Sequence, residues 1–285
     1  MTPPHHAIPP FGTYRLNSRE KRARRWGAKL GVSSVDRTLR SLLWRYAEGT
    51  AHRPRDVTLF NSQRVRLHPY DNICEKRVFL TPQLWEAEER AILQRSIETH
   101  QYRDFFFVDA GANVGLYSLF AKDCAGLSGQ KLRCLAIEPG QTQLDRLYTN
   151  IELSGAGDSI SVIPVGLGAA SGKASYTADR DNLGESRVDT KTHHNRYNTN
   201  EIRIRPLAAL LKDHNFPRID ALKIDIEGAE PTVLTSFFQD AERALWPRLM
   251  IIEIAHAPEI TGMLNHAGYI QHHRRRGLAV YQLPE

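Results

Sequence analysis

Asp109-Ala-Gly-Ala-Asn-Val-Gly115 follows the apolar run Phe105 to Val108 and leads into the helical pattern Gly115 to Ala121, so it reads as strand, glycine turn and helix. Glycines at such a turn let the backbone come close to a neighbour, and the N–H groups of the first helical turn face whatever sits there. Two uses fit this spacing: a tight strand-to-helix connection, or a cradle for a nucleotide-like cofactor. A dinucleotide fingerprint expects G-x-G-x-x-G, whereas this turn has Gly111-x-Asn113-x-Gly115 with an acid two residues earlier. A nicotinamide cofactor is therefore disfavoured. A second apolar run, Leu132 to Ile137, ends in Glu138-Pro139, and a carboxylate at that strand end can accept hydrogen bonds from both hydroxyls of a ribose.

Working outward, the strand-helix alternation repeats: strands near 105–109, 132–137 and 160–165, helices near 115–125 and 141–153. A parallel sheet with helices on both faces is the simplest α/β solution. A polar stretch, Asp179 to Asn200, interrupts it and reads as a long loop over the active site; its adjacent His193 and His194 point apart in an extended chain and make a poor metal pair. The pattern resumes with strand Ile202 to Arg205, helix Leu207 to His214, strand Ala221 to Asp225, a helix opened by Pro231, strand Arg248 to Ile254 and a helix from Pro258 to His266. Two last runs, Tyr269 to Arg274 and Leu278 to Leu283, read as an antiparallel hairpin closing one sheet edge. Arg274-Arg275-Arg276 reads as solvated charge at its tip.

The first hundred residues do not share this pattern. Residues 1–55 read as a basic extension, partly helical or mobile; 56–100 as an accessory hairpin (Val57 to Phe60, Arg64 to Leu67) and a helix from Pro82 to Ile97; and 101–285 as the catalytic domain. Arg15, Arg19, Lys21, Arg22, Arg24, Arg25 and Lys29 precede the apolar pattern Leu39, Leu42, Leu43 and Tyr46. That combination suits either a solvated helix or peripheral contact with an anionic membrane. A net charge of +6 and a pI of 9.3 raise the question of nucleic acid, yet no aromatic-plus-basic stacking pattern or helix-turn-helix spacing supports specific recognition. Hydrophobic content of 41% and charged content of 25% are those of an ordinary globular chain. No run approaches the length of a membrane span, Met1 to Pro10 lacks a signal-peptide core, and Cys74, Cys124 and Cys134 fit a reducing compartment, so a cytoplasmic location is expected.

Lys223-Ile-Asp-Ile-Glu-Gly-Ala-Glu230 places three acids at or just beyond the carboxyl end of a buried strand, the edge where open α/β sheets bind ligands. Glu230 reads as a helix-start residue, and Asp225 and Glu227 as functional acids. Taken with Phe107-Val-Asp-Ala-Gly-Ala-Asn-Val-Gly-Leu-Tyr-Ser118, Ala136-Ile-Glu-Pro139 and Ile251-Ile-Glu-Ile254, this segment resembles the FkbM-type family of S-adenosylmethionine-dependent methyltransferases. Order and spacing agree from about Val57 to Ile254.

The resemblance implies a Rossmann-like seven-stranded methyltransferase sheet with its glycine turn and fourth strand adjacent, S-adenosylmethionine as cofactor, and O-methylation of a glycan, polyketide or similar small molecule. Carried over by position, it implies that Asp109, Gly111, Asn113 and Gly115 surround the methionine part, that Glu138 holds the ribose, and that Val165-Gly166-Leu167 lies near the adenine. Asn182 and Ser186 match a family segment with a Gly-Ser-Ser core, which here reads Gly184-Glu185-Ser186. Methyl transfer needs a base for the hydroxyl proton, and Asp225, Glu227 and His256 are the candidates, histidine being the residue type that titrates near neutrality. Asp225 also suits a divalent cation, although no compact ligand cluster in the sequence demands a metal. Two other functions stand beside this one: a nicotinamide-dependent oxidoreductase, and a non-catalytic binding protein on the same fold.

Overall fold

The computed structural model describes residues 7–49, 52–177, 187–189, 199–275 and 277–284. His193, His194, Asn182, Gly184, Glu185, Ser186 and Arg276 lie outside these.

Helices α1 (Ser18–Gly27) and α2 (Ser34–Glu48) each start at a capping box, Asn17 with Glu20 and Ser33 with Asp36, which satisfies free N–H groups at both starts. Strands β1 (Arg55–Leu59) and β2 (Gln63–Leu67) form the expected hairpin. The sequence pattern missed α3 (Ile73–Leu80), because its buried Val78, Phe79 and Leu80 are contiguous rather than spaced along one face. Helix α4 (Ala87–Glu98) begins at Ala87 rather than Pro82. The Arg90 guanidinium donates to the carbonyls of Pro82 and Trp85, holding that stretch as a turn, and Glu86 is left-handed at φ 41°.

The chain then runs β3 (Asp104–Ala110), α5 (Leu116–Leu127), β4 (Lys131–Ile137), α6 (Gln141–Leu153) and β5 (Ile160–Ile163). Four short strands follow: β6 (Gly166–Leu167), β7 (Gly172–Thr177), β8 (Arg187–Asp189) and β9 (Thr199–Arg205). They pair in the order β6-β9-β7-β8 as a second sheet. The strand expected at Ile202 to Arg205 therefore does not enter the parallel sheet, and the polar stretch from Asp179 to Asn200 carries strand segments rather than forming a loop throughout. The chain continues with α7 (Leu207–Asp213), β10 (Ala221–Ile224), α8 (Glu230–Asp240), β11 (Leu249–Glu253), α9 (Ile260–His266), β12 (Ile270–Arg275) and β13 (Leu278–Gln282).

The main sheet has seven strands in the order β12-β13-β11-β10-β3-β4-β5. β11, β10, β3, β4 and β5 run parallel, and the closing hairpin β12-β13 is antiparallel, as its sequence suggested. Strand order reverses between β3 and β10, so the crevice at their carboxyl ends is the natural ligand site. Both faces are covered, and β3 shows why its sequence is apolar throughout. Phe105 and Phe107 enter the core shared with α4, α5 and the N-terminal helices, while Phe106 and Val108 enter the core under α7, α8 and α9. The hairpin tip is less solvated than expected, since Arg275 pairs with Glu88 of α4 and His273 lies 3.2 Å from the same carboxylate.

Buried polar groups fix the accessory segment to this frame. Asp123 of α5 accepts hydrogen bonds from the backbone of Asn61 and Ser62 and from the side chains of Asn61, Ser62 and Gln63. Arg146 of α6 binds both oxygens of Asp71 and one of Glu75. The extension is joined as well: Ala23, Trp44 and Ala47 belong to the same apolar core as Phe105.

Candidate functional site

The carboxyl ends of β3, β4 and β10 open into a cleft of about 900 Å³. At the β3 end, Asp109 is 1% exposed; its Oδ2 accepts from the Ser118 N–H at 3.0 Å and hydroxyl at 2.6 Å, while its Oδ1 has no partner among the described residues. Burial raises the Asp109 carboxyl, and the nearby Lys223 ammonium moderates the rise.

Gly111 has φ +76°, and a Cβ there would collide with the carbonyl oxygen of Asp225. Its first duty is thus to let two strand ends meet. Gly115, at φ +85°, packs against Leu147 and does not line the cleft. Asn113 adopts φ 52°, which an asparagine tolerates, and its N–H points to Glu138 at 2.9 Å.

Glu138 is nearly enclosed at the end of β4, with its other oxygen accepting from the Gly140 N–H at 2.8 Å. Burial pushes its carboxyl up to about 7, against the lowering effect of those two N–H groups. Val165, Gly166 and Leu167 continue the wall, and Tyr176 of β7 closes it with its hydroxyl 2.9 Å from Gln143 Nε2.

Beyond the glycine turn the cleft becomes charged. Lys223 of β10 sits in register with Asp109, and its Nζ lies 3.0 Å from Asp225 and 5.6 Å from the centre of the Tyr117 ring. Burial would lower this ammonium, but Asp225, Asp109 and Glu86 outweigh it and hold it above the ordinary lysine value. The accessory segment supplies the opposite wall with Cys74, Trp85 and Glu86. The Trp85 and Tyr117 rings meet edge to face at 5.1 Å. Burial pushes the Cys74 thiol up to about 12, so it stays a neutral wall group rather than a nucleophile.

Asp225 and Glu227 line the cleft, and Glu227 is left-handed at φ 56°. Glu230 is fully buried and accepts from the N–H groups of Ile226 at 2.7 Å and Gly228 at 2.9 Å. It therefore ties the turn that carries Asp225 and Glu227, as a helix-start residue would. His256 stands outside the cleft wall, half in solvent, with Nε2 3.5 Å from Glu227.

The fold also brings in Glu253, at the end of β11. Burial, then the Asp225 and Glu227 carboxylates, push Glu253 well above the usual carboxylate range, so it holds a proton among these acids. Donor atoms of Glu227, Glu253 and His256 lie within 4.8 Å of one another, as do those of Asp225, Glu230 and Glu253. Such sets either share protons or hold a hard cation. Sequence reasoning missed Glu86 and Tyr176, which come from distant elements, and left Glu253 of the quoted Ile251-Ile-Glu-Ile254 without a role. Lys223 was within the quoted motif, and its place two residues before Asp225 on one strand was the available signal.

A switch-point cleft with a buried acid after β4 and acids after β10, on a seven-stranded sheet ending in an antiparallel hairpin, defines the Rossmann-like methyltransferase class. The chain belongs to the FkbM methyltransferase family, whose domain model matches residues 109–274. It is 27% identical over 195 residues to methyltransferase sdnD of Sordaria araneosa, a match covering 58% of this chain and 73% of that one. The methyltransferase domain of METTL16 shares the fold with a TM-score of 0.50 at 13% identity, covering 94% of this chain and 90% of that one. The crystal structure of methyltransferase FkbM from Methylobacillus flagellatus KT is similar at a TM-score of 0.44 and 17% identity; the match covers 93% of this chain and 59% of that one.

Proposed function

We propose that this protein is an S-adenosylmethionine-dependent O-methyltransferase acting on a hydroxyl of a glycan, polyketide or similar small molecule. The observation that carries the reading is one continuous cleft with the enclosed Glu138 at one end and Asp225 and Glu227 lining the other, with the half-exposed His256 just outside beside Glu227. The residues fit the cofactor. The unpartnered Asp109 Oδ1 suits the methionine ammonium, Glu138 suits the ribose hydroxyls, and Gly166 with its neighbours suits the adenine.

The bound cofactor supplies an electrophilic methyl on a sulfonium, which leaves as a neutral thioether. Everything else falls to the chain's own groups. Orienting the acceptor hydroxyl supplies much of the rate of an in-line displacement. Asp225 is held by Lys223 and serves that positioning. Glu227, lining the cleft, takes the hydroxyl proton, and His256 passes it to solvent. Lys223 keeps the crowded carboxylates from repelling one another across the floor.

Calorimetric titration with S-adenosylhomocysteine and with NAD tests the reading. Binding of the former, weakened by Glu138→Gln, is expected; binding of NAD alone overturns it. Transfer of labelled methyl to hydroxyl-bearing acceptors, lost in Glu227→Gln with cofactor binding intact, tests the base. Retention of transfer in that variant moves the role to another acid.

A further inference from the structure

The N-terminal helices carry two apolar faces, although a helix packed on one core needs one. Trp44 and Ala47 of α2 point into the core. Val35, Leu39 and Leu42 recur at i, i+4 and i+7 on a different side and are exposed, Val35 by 66%. Val32 just ahead of α2 and Trp26 at the end of α1 are exposed too, and Trp26 stacks at 6.4 Å on Tyr46, which is partly buried against the core.

The charge around this stripe is one-sided. Residues 15–48 hold ten Lys and Arg against three Asp and Glu, a surplus of seven that exceeds the +6 of the whole chain. Two of the three acids are engaged: Glu20 is buried between Arg53 and Arg55, and Asp36 completes the capping box of α2 with Ser33. Arg15, Arg19, Lys21, Arg22, Arg25, Lys29, Arg37 and Arg45 are all exposed.

We infer that α1 and α2 form a docking surface for an anionic lipid bilayer, with Val35, Leu39, Leu42 and Trp26 entering the interface and the surrounding cations meeting the headgroups. An exposed apolar stripe flanked by cations is the pattern of a helix that lies in a membrane surface. Nucleic acid would satisfy the charge but leave the stripe in water. A second copy would cover the stripe but set two strongly positive faces together. Among the described residues no helix is long and apolar enough to cross a membrane, so the contact is peripheral. α1 and α2 pack on α3, whose Cys74 lines the cleft, which sets the docking surface one helix away from the site.

Co-sedimentation of the full chain with vesicles tests this. Phosphatidylcholine vesicles containing about one-third phosphatidylserine should bind it roughly a hundredfold better than phosphatidylcholine alone, and added salt should weaken the binding. Leu39→Asp and Leu42→Asp should each lower binding about tenfold. Arg22→Glu, Arg25→Glu and Lys29→Glu should each lower it about fivefold or more. All five positions are exposed, so unchanged S-adenosylhomocysteine affinity certifies that the variants fold. Equal binding to both vesicle types, or binding insensitive to Leu39→Asp and Leu42→Asp, overturns the inference. So does tight RNA binding that survives those two changes, or a dimer in light scattering that Leu42→Asp dissolves.

Discussion

The two ends of the cleft treat their acids in opposite ways. At the β4 end, Glu138 is enclosed and each of its oxygens accepts one backbone N–H, so its position is fixed before any ligand arrives. At the β10 and β11 end, Asp225, Glu227 and Glu253 crowd together with one ammonium and one half-exposed histidine. Under the proposed function the first arrangement holds the ribose and the second handles the acceptor's proton. The two ends differ in how many donors each carboxylate is given.

The change with the largest expected effect breaks both ends together. Gly111→Ala forces a Cβ against the Asp225 carbonyl at a backbone angle that favours glycine, so loss of about 3 kcal/mol or more of stability is expected, read by denaturant melts, with cofactor binding falling alongside. Separating the ends comes next. Glu227→Gln should lower kcat by roughly 10²–10⁴-fold with S-adenosylhomocysteine affinity kept, whereas Glu138→Gln should cost about 2 kcal/mol of that affinity in calorimetry.

A smaller effect is the pH dependence of binding. The Glu138 carboxyl sits near 7 in the folded chain against an ordinary 4.5, so its share of ligand-free stability is present below 4.5 and is lost as pH rises through 7. In the proposed role the ionised form is the one that would accept from both ribose hydroxyls. Affinity should therefore rise roughly tenfold from about pH 6 to about pH 8, and Glu138→Gln should flatten the rise.

The last prediction lies outside the cleft and serves as a control. Burial raises Asp123, but hydrogen bonds from Asn61, Ser62 and Gln63 outweigh it and hold the carboxyl below its ordinary 3.8. Its contribution is complete above that value and fades as pH falls below it. Asp123→Ala should cost about 1–2 kcal/mol at neutral pH and less in acid, with kcat unmoved.

What the sequence displayed and what it hid divide along physical lines. β3, β4, β10 and β11 were legible because strands covered on both faces are apolar throughout and end in turn residues. The closing hairpin was legible from Gly277 between two strand-like runs, Tyr269 to Arg274 and Leu278 to Leu283. β7 and β8 were not, since β7, Gly-Lys-Ala-Ser-Tyr-Thr, has the composition of a loop and β8, Arg-Val-Asp, is too short to show a period. At the site, Asp109, Gly111, Asn113, Glu138, Gly166, Asp225 and Glu227 line the cleft, because each lies within a turn of a strand end that topology assembles. Gly115 and His256 lie beside it. Glu86 and Tyr176 come from elements whose approach is set by packing between distant segments, which no local period records, whereas Glu253 ends the legible strand β11 but had no partner in the sequence to mark it.

The strand order also bears on how the chain is made. β10 lies between β3 and β11, so when residues 104–177 have left the ribosome β3 still presents a bare edge, and that edge stays open until residues 221–224 emerge. Arg275 must then travel back across 187 positions to meet Glu88 of α4, whose Leu93 and Ile97 are already in the core. Completion of the sheet waits on β10 to β13, and a ribosome that stalls before them leaves an aromatic-rich strand able to pair with a stranger.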